Sequence, residues 1–317
     1  MSTVDLSLVV EMETKDITGA YDYQASLREW LRQIQAIAPH TAEVILCHPG
    51  EANSFPEIEF PCPLRKLHLP GKHYYAIKNA GANVAQGKVV LFTDSDCRPG
   101  EGYLENLLRI FDDPQIHCVA GRSLYDGTGI LTRINTTVSF GRFHFGPQLP
   151  SSFVPLAHNV AVRRSCYQRD PFGPFTGRVL GDVYLSETLR QKNFPPILRR
   201  ELVMYHEDMT FSLRGTLERH LRDHFYILGK KPPATRTSAW SVLRATLASP
   251  RRRLQKVRLY GPSLGLRRRH LPIILAVLVA YAVFDSIAVS LVLGVPSWRR
   301  RWVKHQFGEP LASQLLR

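Results

Sequence analysis

Residues 88–97 read Lys-Val-Val-Leu-Phe-Thr-Asp-Ser-Asp-Cys, an apolar run that closes on two aspartates one residue apart. Val89, Val90, Leu91 and Phe92 follow one another without a polar break, which predicts a strand buried on both faces, as in a parallel sheet. Asp94 and Asp96 then fall where an open α/β sheet presents its ligands, at the carboxyl ends of the strands. Two carboxylates so placed suit a hard divalent cation, Mg²⁺ or Mn²⁺, that carries a diphosphate. Taken alone, the pair fits a second arrangement equally well: Asp94 caps a helix and Asp96 opens the turn before Arg98-Pro99-Gly100.

The surrounding chain alternates strand-like and helix-like segments, which predicts a mostly parallel sheet covered by helices, an α/β fold. Strands are expected at 6–10, 43–47, 64–69, 117–121, 159–162 and 202–205. Residues 25–37 carry Leu27, Trp30, Leu31, Ile34 and Ile37 at helical spacing. Further helices are expected at 74–85, closed by Gly87, at 102–111, ended by Asp112-Asp113-Pro114, and at 182–192. Residues 123–157 give no clear assignment, and 210–247 read as amphipathic helices broken at Lys231-Pro232-Pro233.

With 317 residues, 44% hydrophobic and 21% charged, the chain is long enough for one large α/β domain with appendages. Its net charge of +14 is concentrated: residues 251–304 hold 12 of the 41 basic residues and one of the 27 acidic ones, a net +11, leaving +3 elsewhere. The body of the protein is therefore nearly balanced and predicts no basic groove for nucleic acid. The excess flanks an apolar stretch, 271–294, with arginine triplets at 251–253 and 267–269 before it and at 299–301 after it. As a helix this stretch is about 36 Å long, against about 30 Å of bilayer hydrocarbon. Asp285 lies near its middle, and basic clusters at both ends give no orientation. A crossing helix, a re-entrant or surface-lying one, and a buried helix of a soluble domain all fit. The five scattered cysteines predict reduced thiols rather than a disulfide framework or zinc site. No secretory signal is expected, because the first apolar run is short and follows Asp5.

Four features stand in the order seen in glycosyltransferase family 2, the inverting nucleotide-sugar transferases of GT-A fold. They are Ala76-Ile77-Lys78-Asn79-Ala80-Gly81 leading to Gly87, then Thr93-Asp94-Ser95-Asp96, then His158-Asn159-Val160-Ala161-Val162-Arg163-Arg164. The fourth is Phe172-Gly173-Pro174-Phe175 with Gly181-Asp182-Val183-Tyr184-Leu185-Ser186 and, later, Val203-Met204-Tyr205-His206. The resemblance covers about two thirds of the chain. It implies a GT-A domain over 1–210; beyond it, the composition predicts an amphipathic and basic helical region over 211–270, a transmembrane or re-entrant helix over 271–294, and a basic tail over 295–317.

By the same resemblance, Mg²⁺ or Mn²⁺ is held by Asp94, Asp96 and His206, and Asp182 removes the acceptor proton. The nucleotide sugar, UDP- or GDP-linked, is contacted by Glu11, Glu13, His48, Lys78, Asn79, Asp94 and Asn159. The C-terminal apolar segment adds the expectation of a lipid, lipid-linked glycan or polysaccharide acceptor at the cytoplasmic face of the cell membrane. For Lys78 a solvated helix lysine, for His206 an ordinary polar residue and for Asp182 a helix cap are the competing roles. Three positions depart from the usual pattern: Glu11-Met12-Glu13-Thr14 after the first strand, Cys47-His48-Pro49 after the second, and Gly181 in place of an acidic residue before Asp182. A non-catalytic GT-A-like scaffold at the membrane is the alternative function. A nucleotidyltransferase is disfavoured for want of an N-terminal Gly-rich loop followed by Arg, and an aspartyl phosphatase for want of a following Asp-Gly-Thr run.

Overall fold

The computed structural model describes residues 4–13, 23–50, 55–144, 154–167, 169–174, 181–207 and 249–294. They fall into two units, Met1–Asp126 with Gly146–Glu207, and Gly127–Phe145 with Asp208–Arg317. The expected helices over 210–247 lie outside the described residues.

The first unit is built on an eight-stranded sheet: β1 (Leu6–Glu11), β2 (Ala42–His48), β3 (Leu64–His68), β4 (Val89–Asp94), β5 (Cys97–Pro99), β6 (Cys118–Asp126), β7 (Val160–Arg163) and β8 (Ile197–Glu207). The order is β3-β2-β1-β4-β7-β6-β8-β5. Strands β1 to β4 pair in parallel, β7 runs antiparallel to both β4 and β6, and β6 pairs in parallel with β8. The α/β sheet expected from the apolar runs is present, and every residue of β4 is buried.

Alternate side chains of the central strands serve opposite faces, as the pleat requires. Leu6, Leu8 and Val10 of β1 and Leu91 of β4 pack beneath α1 (Tyr23–Ala36), through Leu27, Trp30 and Ile34, and beneath α3 (Tyr103–Phe111). Val9, Val90 and Phe92 face the other way, onto α2 (Tyr74–Val84) and α5 (Gly181–Gln191). Helices on both faces explain why these strands read as unbroken apolar runs.

Several polar residues in the recognised motifs hold this frame together. Arg163 sends its guanidinium to the carbonyls of Phe111, Asp113 and Ile116 at 2.6–2.8 Å, closing the orphan end of α3. Arg164 donates to the Gly87 carbonyl at 3.1 Å. Gln33 of α1 joins the Gly100 carbonyl to the Leu104 amide, so α1 fixes the turn that enters α3.

Two expectations need correction. Gly87 does not stop a helix: α2 ends at Val84, and Ala85 is already extended. A Cβ at Gly87 would lie 2.7 Å from both the Leu6 carbonyl carbon and the Ser7 hydroxyl, so glycine is there to let the chain pass against β1. The unassigned stretch 123–157 contains the end of β6, which runs on to Asp126, and helix α4 (Ile130–His144). Threonines and an asparagine at mid-helix mask the periodicity of α4.

In the second unit α4, α6 (Ser249–Tyr260) and α7 (Leu271–Gly294) share a small core of Ile134, Val257, Leu266, Ile274, Leu278 and Tyr281. Helix α7 is, among the described residues, the one helix long and apolar enough to cross a membrane by length and composition.

Gly87→Ala is expected to destabilise the protein by about 1–3 kcal/mol, as overpacking against a backbone does. Equilibrium denaturation in urea, with an unchanged dependence on denaturant, checks this.

Candidate functional site

Three strand ends meet at the two aspartates. Asp94 is the last residue of β4 and lies opposite Glu11 of β1. On its other side Phe92 pairs with Val160, and the same antiparallel register carried onward brings His158 alongside Asp94. Asp96 sits in the turn into β5, whose Cys97 pairs with His206 of β8. The His206 Nε2 is consequently 3.5 Å from an Asp96 carboxylate oxygen. The Ser95 amide, bonded to the Glu11 carbonyl at 2.8 Å, pins the turn to β1.

Helix α2 supplies the partners of the carboxylates through two pairs of residues spaced i, i+4. Tyr74 and Lys78 form one pair. The Tyr74 hydroxyl donates to Asp94 at 2.8 Å, and the Lys78 ammonium pairs with Asp94 and bonds the Thr93 carbonyl at 2.9 Å. Lys78 is fully buried, so the solvated helix lysine is ruled out in favour of a buried ion pair. Burial opposes ionisation of Asp94, but Lys78 and the hydrogen bonds outweigh it and hold the carboxyl below its ordinary range.

Tyr75 and Asn79 form the second pair. The Tyr75 hydroxyl donates to Asp182 Oδ1 at 2.9 Å, and its ring stacks on Phe172 with centroids 5.4 Å apart. Asn79 brackets the same segment, accepting from the Phe172 amide at 2.9 Å and donating to the Gly173 carbonyl at 2.8 Å. Asp182 stands in the first turn of α5, half-buried, where the helix dipole favours a carboxylate. The preceding Gly181 has its face against Tyr75: a Cβ there would fall 2.5 Å from the ring. The glycine that replaces the usual acidic residue is thus the space the tyrosine fills.

The other expected contacts are placed as follows. Glu11 is buried at the end of β1, and Glu13 lies 3.7 Å from His73. His48 is buried at the end of β2 and accepts the Gly50 amide on Nδ1 at 2.8 Å. Asn159 is a buried clamp rather than an open donor, taking the Tyr103 hydroxyl at 2.6 Å and donating to the Arg122 carbonyl at 3.0 Å.

The donor set fits a divalent cation. Asp94, Cys97, His158 and His206 offer ligand atoms within 4.8 Å of one another, and Asp96 adds a carboxylate beside His206. Adjacent ligands at about 2.1 Å from one ion lie roughly 3 Å apart, close to the Asp96–His206 separation. Cys97 is the weakest member: burial and then the neighbouring Asp96 push its thiol pKa well up, so it remains S–H. His158 is buried against Ser123, 2.9 Å away, and burial followed by the proximity of His206 lowers its pKa to about 3, leaving a neutral imidazole. Sequence reasoning quoted His158 without giving it a role. Tyr74 and Tyr75 were missed outright, although their spacing to Lys78 and Asn79 carried the signal.

Residues 17–169 match the glycosyl transferase family 2 model. Over these residues, just under half of its length, the chain is similar to glycosyltransferase family 2. The pre-mycofactocin glycosyltransferase of Mycobacterium tuberculosis is 34% identical to this chain over 132 residues, which cover 39% of this chain and 27% of the relative. The chain therefore spans about a quarter of the length of the curated relatives it matches. Among solved structures, a mannosyltransferase from Pyrobaculum calidifontis in complex with GDP-Man and Mn²⁺ is 17% identical, covers 88% of this chain and 86% of its own, and has a TM-score of 0.49. Glucosyl-3-phosphoglycerate synthase from Mycobacterium tuberculosis, in complex with Mn²⁺, UDP and glucosyl-3-phosphoglycerate, is 16% identical over 71% of this chain and 77% of its own, with a TM-score of 0.44.

Lys78→Met leaves the Asp94 carboxylate buried without its cation and is expected to cost about 3–5 kcal/mol at neutral pH. A carboxyl held low contributes stability above its unfolded-state pKa and loses it as pH falls through the folded value. The wild type should therefore hold this contribution until pH drops below about 4. In the variant the carboxyl is raised instead, so stability should increase as pH is lowered from 7 towards 5. Denaturation midpoints across that range check the change of sign.

Proposed function

We propose that this protein transfers a sugar, with inversion, from a UDP- or GDP-linked donor to a lipid, lipid-linked glycan or polysaccharide at the cytoplasmic face of the cell membrane. The observation that carries the reading is the meeting of Asp96 with His206, two residues 110 positions apart in the chain, beside an Asp94 already neutralised by Lys78. The similarity to family 2 and the position of Asp182 support it. The membrane part rests on the apolar length of α7 and the basic clusters around it.

Asp96 and His206 would hold Mg²⁺ or Mn²⁺, with Asp94 and His158 beside them. Such an ion acts as a Lewis acid that stabilises the charge appearing on the departing diphosphate. Because Lys78 and Tyr74 hold Asp94, its carboxylate stays ionised and fixed in orientation, a preorganised wall for the ribose or the metal. Asp182 accepts the proton of the attacking hydroxyl. The Tyr75 hydroxyl on Oδ1 steadies that carboxylate for the task. Asp182 stands in the first turn of α5, where the helix dipole favours negative charge. Glu11, Glu13 and His48 lie at or beyond the carboxyl ends of β1 and β2, the edge at which a nucleoside is read in such sheets.

Screening UDP-, GDP- and dTDP-sugars by thermal shift with and without Mn²⁺ tests the donor. One nucleotide class should stabilise the protein only with metal, by about 2.7 kcal/mol at a hundredfold excess over Kd, and Asp96→Ala should remove the shift. A wild-type protein that binds none of them would favour the scaffold alternative.

Asp182→Asn should retain that shift yet lose about 10²–10⁴-fold in transfer rate, the usual weight of a general base. Tyr75→Phe should lower kcat with little change in the donor KM. Initial rates with varied donor separate the two.

A further inference from the structure

Helix α7 is bound along one seam and, among the described residues, exposes apolar side chains elsewhere. Ile274, Leu278, Tyr281 and Asp285 recur every three or four residues and are buried. Arg253 of α6 grips both oxygens of Asp285, at 2.6 and 3.3 Å, and its guanidinium lies 5.0 Å from the Tyr281 ring centre. The Tyr281 hydroxyl bonds Asn135 of α4. Around the rest of the helix Leu271, Ile273, Leu275, Val279, Val283 and Ile287 are 42–63% exposed.

The Asp285–Arg253 pair ties α6 alongside α7. A crossing helix would therefore draw α6 towards the hydrocarbon together with its exposed Arg251, Arg252 and Arg258. One arginine at mid-bilayer cancels the insertion gain of several leucines. A helix lying in the interface meets no such penalty. Its backbone is satisfied, its apolar side enters the acyl boundary, and arginines beside it reach anionic phosphates. Exposed Arg267, Arg268 and Arg269 immediately precede α7, and the 299–301 triplet follows it in sequence. Both ends of an in-plane helix sit at headgroup level, which suits basic clusters at each.

We propose that α7 lies in the plane of an anionic membrane surface, with its bare apolar side in the lipid and the arginines beside it on lipid phosphates. This deepens the membrane-acting reading above and makes the protein monotopic.

Flotation of the full chain with vesicles of phosphatidylcholine, alone or mixed with phosphatidylglycerol, tests it. Binding should favour the mixed vesicles. The combined Arg267→Gln, Arg268→Gln and Arg269→Gln variant should bind them roughly a hundredfold more weakly, given the usual contribution per basic residue. Val279→Asp with Val283→Asp, both at exposed positions, should abolish flotation with an unchanged circular dichroism spectrum. In sealed membrane vesicles, terminal tags should be cleaved together by added protease. One protected tag, equal binding to neutral vesicles, or a lipid-free dimer that does not float would overturn the proposal. None of these readouts needs sugar transfer, so an inactive protein that floats leaves it standing, while an active one that stays in solution overturns it alone.

Discussion

A carboxylate at the end of a strand buried on both faces is tolerable only beside a cation, and Lys78 meets that demand for Asp94. The ammonium arrives from the opposite layer, so α2 cannot rotate or slide along β4 without stranding two charges in a medium that solvates neither. That constraint propagates. With Tyr74 and Lys78 committed to Asp94, the neighbouring stripe of α2, Tyr75 and Asn79, is aimed at Phe172, Gly173 and Asp182. One helix thereby sets the separation between the candidate metal ligands and the candidate base.

The two aspartates divide their work accordingly. Asp94 is held by Tyr74 and Lys78, whereas Asp96 looks across to His206. The Asn159, Arg163 and Arg164 motif, by contrast, is structural. It sews β7 to β6, to the end of α3 and to the approach of β4. A motif can mark a family because part of it builds the frame, here Asn159, Arg163 and Arg164, while His158 beside them faces the site.

The sheet was legible because its strands are covered on both sides and must be apolar throughout, and α1 and α3 because their apolar stripes are regular. Asp94 and Asp96 stood out for the same reason: charge is conspicuous at the end of an apolar run. What stayed hidden depends on register and distance. His158 gains its place from the pairing of Phe92 with Val160, and Tyr75 from a helix start a hundred residues before Asp182. Helix α4 escaped because Thr132, Asn135, Thr136 and Thr137 occupy positions where an apolar stripe would announce it. Asp285, troublesome as a lone charge in an apolar stretch, is explained by Arg253, which lies outside that stretch altogether.

The fit of Gly181 against the ring of Tyr75 yokes two positions 106 residues apart in the chain by bulk alone. Neither can change size freely: a larger residue at 181 evicts the phenol that steadies Asp182, and a smaller one at 75 opens a hole beside a bare backbone. Lineages of this protein would then carry either a small residue with an aromatic or a larger one with a slimmer neighbour, the exchange occurring in both places together.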